Sequence, residues 1–241
     1  VFHEAAMVSV PMSMEKPLEN HETNITGTLN MLIAAAKARV TRFVYASSAA
    51  TYGADPELPK RETMTRHYPS PYALSKGVDE DYAKLWAYKQ ELGNGMTTVG
   101  LRYFNVYGPR QDPKSPYSGV ISIFTDRIKG GQEIVFNGDG KQTRDFVFVK
   151  DIVQGNMKAG LAKLGPNESR VFNVGTGKAV TLLELMEAMK TIIGKDVKYS
   201  FGPERAGDIK DSLSDITAIQ TELGYVPEYS LEAGLRILLL E

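Results

Sequence analysis

The chain has 241 residues, of which 42% are hydrophobic and 24% charged, with a formal net charge of −1. This is the make-up of a globular protein with a substantial core, and nothing in it suggests a nucleic-acid partner or an anionic membrane surface. No apolar run approaches the ~20 residues of a membrane span and no signal-peptide pattern appears, while the lack of cysteine excludes disulfides, thiolate metal sites and a cysteine nucleophile and suits a cytoplasmic enzyme.

The opening Val1-Phe2-His3 reads like the tail of a buried strand, so the fold is expected to begin upstream of it. Residues 22–38 carry Ile25, Leu29, Leu32 and Ile33 at helical spacing. "RFVYASS" (42–48) is a short apolar, β-branched and aromatic run, the pattern of a buried strand. A helix follows Pro71, with Leu74, Val78, Tyr82, Leu85 and Trp86 as its stripe. "MTTVGLRYFNVYG" (96–108) is a second buried strand, and the Pro-, Ser- and charge-rich loop after it (109–118) marks passage to a second lobe. A third strand spans 144–151 and runs into a helix with Asp151 as its N-cap. A fourth spans 170–177 and leads to a helix opened by the capping-box pair Thr181 and Glu184. Strand and helix in alternation imply an α/β fold with a parallel sheet covered on both faces. Ligands of such sheets sit beyond the carboxyl ends of the strands, here residues 47–53, 103–108 and 173–177.

The helix after Pro71 begins "SPYALSK" (70–76). Tyr72 and Lys76 are four positions apart and share one face. Leu74 and Val78 lie roughly opposite and are expected to point to the core, which turns the pair towards a cleft or towards water. A tyrosine with its ordinary pKa of ~10 is a poor base, and a neighbouring lysine charge favours the phenolate. The pair on its own also fits a solvated helix face. Upstream, "ASSAATYG" (46–53) sets Ser47 and Ser48 at a strand exit, with Ser48 lying 24 positions before Tyr72. The exit and the helix start can then share one cleft. Arg144, before a buried strand, suits bidentate phosphate binding, whereas Asp145 is expected to fix the loop. Asn105 at a strand end fits a ligand contact or a turn. His3 is given no role, and no His/Asp/Glu cluster suggests a metal site. "GTGK" (175–178) lacks a Ser or Thr after its lysine and reads as a strand-to-helix turn, not a phosphate loop.

Taken in order, "SSAATYG", "SPYALSK", "LRYFNVYGPRQDP", "NGDGKQTRDFVFVKD" and "RAGDIKDSLSD" resemble the motifs of the extended short-chain dehydrogenase/reductase family, specifically its nucleotide-sugar 4-epimerases acting on UDP-glucose or UDP-N-acetylglucosamine. The likeness runs from "HEAAMVSVPMS" to near residue 225. It implies a doubly wound, mostly parallel Rossmann-type sheet with a smaller α/β substrate-binding lobe. Residues 1–108, with 144–177 returning to the sheet, would form the NAD-binding domain, and 109–143 with 178–241 the nucleotide-sugar lobe. It implies Tyr72 as acid/base on the sugar 4-hydroxyl, Lys76 on the nicotinamide ribose, and Ser48 on the same sugar oxygen with Ser47 in support. Ala5, Ala6, Ser47 and the backbone at Tyr103 would border the cofactor, NAD. Asn105 and Arg144 would grip the pyrophosphate, Phe136 would lie beside the uracil, and Arg205 and Asp208 would bind phosphate and ribose. Ser212 would wall the sugar pocket and leave room for an N-acetyl group. Ala50 stands where related dehydratases carry an acid, which argues against elimination. The family's Gly-rich dinucleotide fingerprint is not within 1–241, and it is expected upstream of Val1. The helices over 22–38 and 71–92 would pair across a homodimer. The resulting expectation is NAD-dependent 4-epimerisation of a UDP-hexose, leaning to UDP-GlcNAc/UDP-GalNAc. The alternatives are UDP-Glc/UDP-Gal, another NDP-sugar such as a uronate, a nucleotide-sugar reductase consuming NADPH, and a redox-inactive nucleotide-sugar binder.

Overall fold

The computed structural model describes residues 1–112, 119–204 and 209–240. Arg205 and Asp208 lie outside the described residues. In chain order the strands are β1 (Phe2–His3), β2 (Arg42–Ser48), β3 (Thr97–Tyr103), β4 (Asn105–Tyr107), β5 (Ile134–Asn137), β6 (Thr143–Arg144), β7 (Phe146–Phe148), β8 (Ser169–Val174), β9 (Val180–Thr181) and β10 (Tyr199–Gly202). The α-helices are α1 (Val10–Glu15), α2 (Pro17–Asn20), α3 (Gly27–Lys37), α4 (Pro71–Tyr88), α5 (Gln90–Gly93), α6 (Val120–Lys129), α7 (Val149–Leu161), α8 (Leu182–Ile193), α9 (Thr217–Leu223) and α10 (Leu231–Leu240). A π-helical turn, His21–Thr26, joins α2 to α3, and a 3₁₀ turn, Ala49–Tyr52, follows β2.

The central sheet has the order β1-β2-β3-β8 with every neighbour parallel. Ser48 is paired with Tyr103, and Tyr103 with Val174, so the strand exits line one edge. Alternation along the strands sorts side chains to two faces. Phe43 and Tyr45 meet Leu32, Ala83 and Trp86 of α3 and α4 on one face. Val44, Val99 and Leu101 meet Ile152 and Ala159 of α7, with Ile219 of α9, on the other. A separate apolar cluster joins Phe124 of α6, Ile134 and Phe136 of β5, Leu185 and Met189 of α8, and Leu235 of α10. There β5 pairs in parallel with β10.

Three expectations need correction. The strand read over 96–108 is broken at Phe104: its N–H donates to Val174 O, and the next N–H, of Asn105, goes to Asp145 O. The chain thereby leaves the central sheet and continues as β4, which pairs with β7. The strand read over 144–151 thus contributes β7 to that small ladder and not to the central sheet. Asp151 is not an N-cap: α7 starts after Phe148, and the buried Asp151 carboxylate accepts from the N–H groups of Glu228 and Tyr229, tying down the entry to α10.

The third concerns α4. Ser70 caps it by accepting from Ala73 N, and Pro71 supplies the preset φ of the first turn. The inward face of its first half, however, is largely polar. Tyr72 is 8% and Lys76 4% exposed, whereas Leu74 is 45% and Leu85 41% exposed, and only further along do Ala83 and Trp86 turn an apolar face inward. The reason lies in the sheet, whose facing surface is polar towards the strand exits. Glu80 of α4 accepts from Ser47 Oγ (2.6 Å) on β2 and from Arg102 Nε (2.8 Å) and Nη2 (2.7 Å) on β3. Arg66 Nη1 adds a contact at 3.2 Å. Removing one partner of a buried ion pair leaves an uncompensated charge. Glu80→Gln is therefore expected to lower the unfolding free energy by ~3 kcal/mol in urea denaturation. A loss below ~1 kcal/mol would mean that water satisfies the arginines as well as the acid does.

Candidate active site

β2 ends where Ser48 takes an extended conformation and caps the following 3₁₀ turn, its Oγ accepting from Ala50 N. The same hydroxyl stands near the Tyr72 phenol and favours its ionised form. Lys76 reaches under the sheet edge, and its Nζ donates to Ala46 O at 2.7 Å. Ser48, Tyr72 and Lys76 are thus brought together at the exit of β2. The entry to α4 is fixed from below: Tyr72 N donates to the buried Ser13 Oγ at the end of α1. Ser75 Oγ donates to Tyr72 O and accepts from Asn24 Nδ2, while Asn24 also exchanges hydrogen bonds with both backbone groups of Met7. The wide π turn carries Asn24 into this position.

The electrostatics differ from the expectation of a depressed phenol. Burial is the largest influence and pushes Tyr72 up, against the Ser48 hydroxyl, and the Asp79 charge pushes it the same way as burial. Burial also pulls Lys76 down, opposed by the acids Asp79, Glu4 and Glu80. As packed, Tyr72 is a proton-holding phenol.

Ser47 is placed elsewhere than expected. It is buried, and its hydroxyl is committed to Glu80 on the α4 face. Ala5 is exposed and Ala6 half-buried just beyond β1. Tyr103 ends β3, where its hydroxyl meets the Glu4 carboxylate and accepts from Asn156 Nδ2 at 2.7 Å.

The remaining candidates gather in a cavity of ≈ 580 Å³ lined by Asn105, Phe124, Arg127, Phe136, Gln142 and Arg144 among others. Asn105 is exposed at the first position of β4. Arg144 Nη1 donates to Thr143 O and Lys210 O. Phe136 needs correction as a ligand platform. Its ring is 1% exposed, packed edge-on to Phe124 and stacked on Phe201, while Val135 and Asn137 alternate outward and line the same cavity. The segment carrying Ser212 runs beside β6, with Ser212 N donating to Thr143 O at 3.2 Å, which sets the half-buried Ser212 close to the Arg144 strand.

Asp145, fully buried, accepts from the N–H and hydroxyl of Thr176, from Gly177 N, and from the N–H and hydroxyl of Ser214. It fixes the loop, as its sequence context suggests, and the 175–178 stretch is a turn tied to it. A Cβ at Gly175 would stand 2.8 Å from Asp145 Oδ2 and 2.4 Å from Ser214 Oγ, so this turn admits no side chain. Residues that the sequence reading passed over are Asn24, Ser75, Glu80 and Arg102, which brace the start of α4 around Tyr72 and Lys76, and Arg127 and Gln142, which line the cavity. The one available signal was their clustering of polar types on helices and strands that must be buried. Among the described residues no metal-binding group of acids and histidines occurs, and no helix is long and apolar enough to cross a membrane.

Comparison with known proteins adds to this geometry. The family model described as "NAD dependent epimerase/dehydratase family" matches residues 1–175. A putative UDP-glucose 4-epimerase of Methanocaldococcus jannaschii is 38% identical over 237 residues, which cover 98% of this chain and 74% of that protein. The structure of UDP-N-acetylglucosamine 4-epimerase from Methanobrevibacter ruminantium, in complex with UDP-N-acetylmuramic acid, superposes with a TM-score of 0.93 at 37% identity, covering 100% of this chain and 75% of that one. UDP-glucose 4-epimerase from Thermotoga maritima with UDP-glucose superposes at 0.92 and 39% identity, with the same coverage.

Since burial is the largest influence on Tyr72 and raises it, the phenolate is the minor form until the pH climbs past the ~10 of a free tyrosine. An ultraviolet titration of the protein minus that of Tyr72→Phe is expected to place this phenol above that value. A midpoint below it would mean that neighbouring positive charge outweighs burial.

Proposed function

Because the chain belongs to the NAD dependent epimerase/dehydratase family, we propose that it interconverts the C4 epimers of a UDP-hexose, with UDP-GlcNAc/UDP-GalNAc as the favoured pair and UDP-Glc/UDP-Gal as the alternative. The observation that carries the reading is the buried Tyr72/Lys76 pair, with the Ser48 hydroxyl near the phenol, at the exit of a central parallel strand. A binding protein has no use for a phenol and an ammonium kept out of water at such cost.

The residues present fit the nicotinamide half of NAD. Lys76 commits one N–H to Ala46 O, which leaves ammonium donors for ribose hydroxyls, and the short side chains of Ala5 and Ala6 leave the exit of β1 open. When bound, NAD supplies reversible uptake of a hydride from the sugar carbon. The chain's own part is proton handling and orientation. Tyr72 moves the proton of the sugar 4-hydroxyl, Ser48 holds the same oxygen, and the Lys76 charge is of the sign that stabilises phenolate. Asn105 and Arg144 hold the diphosphate at the ≈ 580 Å³ cavity, and the uracil lies by the outward Val135 and Asn137. Arg205 and Asp208 are retained as phosphate and ribose contacts on the family resemblance alone. Residues 1–108 with 144–177 would serve the cofactor and the remainder the sugar nucleotide, in a cytoplasmic setting.

The sugar preference rests on the family resemblance at Ser212, whose small side chain, beside the Arg144 strand, would leave space for an N-acetyl group. Of the two structural relatives named above, one is described with UDP-N-acetylglucosamine and UDP-N-acetylmuramic acid and the other with UDP-glucose, so the wall residue is the feature to test. Incubation of the enzyme with UDP-GlcNAc and no added cofactor is expected to yield the C4 epimer. Ser212→Tyr is expected to lose that turnover by ~10-fold or more while keeping UDP-glucose turnover. No product, or product only with stoichiometric NADPH, would overturn the reading.

We also propose a homodimer built on the outward faces of α3 and α4. Leu74, Leu85 and Tyr88 of α4 are exposed, as are Met31 and Ile33 of α3, and Leu74 borders an apolar groove of ≈ 620 Å³ with Met14, Leu18 and Ile25. Light scattering is expected to give a dimer mass for the parent and a monomer mass for the double variant Leu74→Glu/Leu85→Glu. A monomeric parent would refute it.

A further inference from the structure

Lys76 is a buried ammonium, and a buried ammonium without a counter-charge gives up its proton. The acids facing it come from two elements. Glu4, beyond β1, is exposed and lies against the Tyr103 hydroxyl. Glu80, on α4 itself, is taken by Arg102, Arg66 and Ser47. That leaves Asp79, one turn beyond Lys76 on the same face of α4. It is 1% exposed, its Oδ2 is 3.9 Å from Lys76 Nζ, and its Oδ1 is buried with no hydrogen-bond partner. Among the described residues it is the acid within ion-pair reach of this lysine. The other titratable or charged groups around the pair are His3 of β1, bonded to Thr28 Oγ1, Tyr45 of β2, Tyr72 of α4, and Arg102 of β3. None of these supplies Lys76 with a negative charge.

We propose that Asp79 is the counter-ion that keeps the buried Lys76 ammonium charged, and is thereby a positioning residue for the Tyr72/Lys76 pair. The two groups sit against opposite pressures. Burial pushes Asp79 up to about 7, held back by the Lys76 charge and the Thr28 hydroxyl, and the same burial pulls Lys76 down, held back first by Asp79. Each is thus charged largely because the other is. The arrangement has a cost at Tyr72, since the Asp79 charge also disfavours the phenolate. It therefore trades some readiness of the phenol to ionise for a lysine that stays cationic in a dry site. Nothing in this argument depends on the proposed reaction except the effect on turnover.

The test is a carbon-magnetic-resonance titration of the enzyme carrying isotope-labelled lysine, with the Lys76 signal identified by its loss in Lys76→Met. In Asp79→Asn the Lys76 signal is expected to titrate at a pH lower by about one unit or more than in the parent. The alkaline limb of kcat/KM should retreat to lower pH with it, while Asp79→Glu should leave both near their parent positions. A Lys76 midpoint unchanged in Asp79→Asn overturns the proposal, as does a lowered kcat with no movement of the alkaline limb, which is what a merely structural role would give. Coupling is reciprocal. So even where Asp79→Asn does not fold, the Asp79 carboxyl of Lys76→Met should hold its proton to a higher pH than in the parent, and failure to do so is equally fatal. A shifted Lys76 midpoint in a protein without epimerase turnover would sink the proposed function and spare the counter-ion. Turnover with an unmoved midpoint would do the reverse.

Discussion

The carboxylate of Glu80 organises the site. It receives hydrogen bonds from Ser47 on β2 and Arg102 on β3, with Arg66 of the preceding loop closing over it. Burial works against the Arg102 charge, but Glu80 holds its guanidinium above the ordinary range. Such a pair is weak evidence for net stability, since its desolvation offsets most of the attraction. What it does supply is orientation. A helix laid on a sheet through Leu and Val can slide by small amounts at little cost, whereas a forked Arg–carboxylate pair has one good geometry. With Glu80 pinned, Tyr72 and Lys76, two turns and one turn earlier, have fixed height and rotation over the exit of β2. Arg102 also lies over the Tyr52 ring at 4.8 Å, and Tyr52 OH donates to Asn173 on β8. The same arginine thus ties the turn after Ser48 into the frame.

A second carboxylate, Asp145, plays the matching part between the central sheet and the smaller cluster. It draws Thr176, Gly177 and Ser214 onto one point, next to Arg144 and just before β7. Gly175 is required because the carboxylate and Ser214 occupy the space a side chain would fill. The segment running from Lys210 to Ser214 is therefore held to β6 by backbone pairing and to the loop by Asp145, which is how Ser212 comes to stand near Arg144. Both anchors are acids whose oxygens are saturated by donors from separate segments, and both lie beside the residues expected to meet ligand and not among them.

This explains which parts were legible from residues. The strands of the central sheet announced themselves as short β-branched and aromatic runs, and their exits located the cleft, because a sheet buried on both faces is apolar over most of its length. The capping box at Thr181 is fully local and appears as read. The face of α4 was read backwards at Leu74 and Leu85, though not at Trp86, because periodicity reports where apolar residues are, not what they meet. An apolar stripe facing out and a polar stripe facing in are indistinguishable on a helical wheel until the sheet beneath is known to carry Ser47 and Arg102. The same limitation hid Asn24, whose place depends on a π turn with no clear sequence signature. Phe136 was read as a ligand contact although strand alternation puts Val135 and Asn137 on the open side. The break at Phe104 was invisible because β3 and β4 follow one another without a Gly or Pro between them and differ in the partner they find.

Asp79 and Glu80 are adjacent in sequence and both buried, yet their circumstances are opposite. Glu80 accepts from Ser47, Arg66 and Arg102, so it serves as structure. Asp79 has a bare oxygen and a lysine at a distance too long for a hydrogen bond, so its charge is conditional. Placing the two side by side lets one helix turn be rigid in geometry and adjustable in charge. The proposed proton transfer needs a fixed distance, and it is subject to a local field that burial and Asp79 tilt towards the protonated phenol. The saturated acid supplies the first and the unsaturated one bears on the second, and exchanging their environments would alter both.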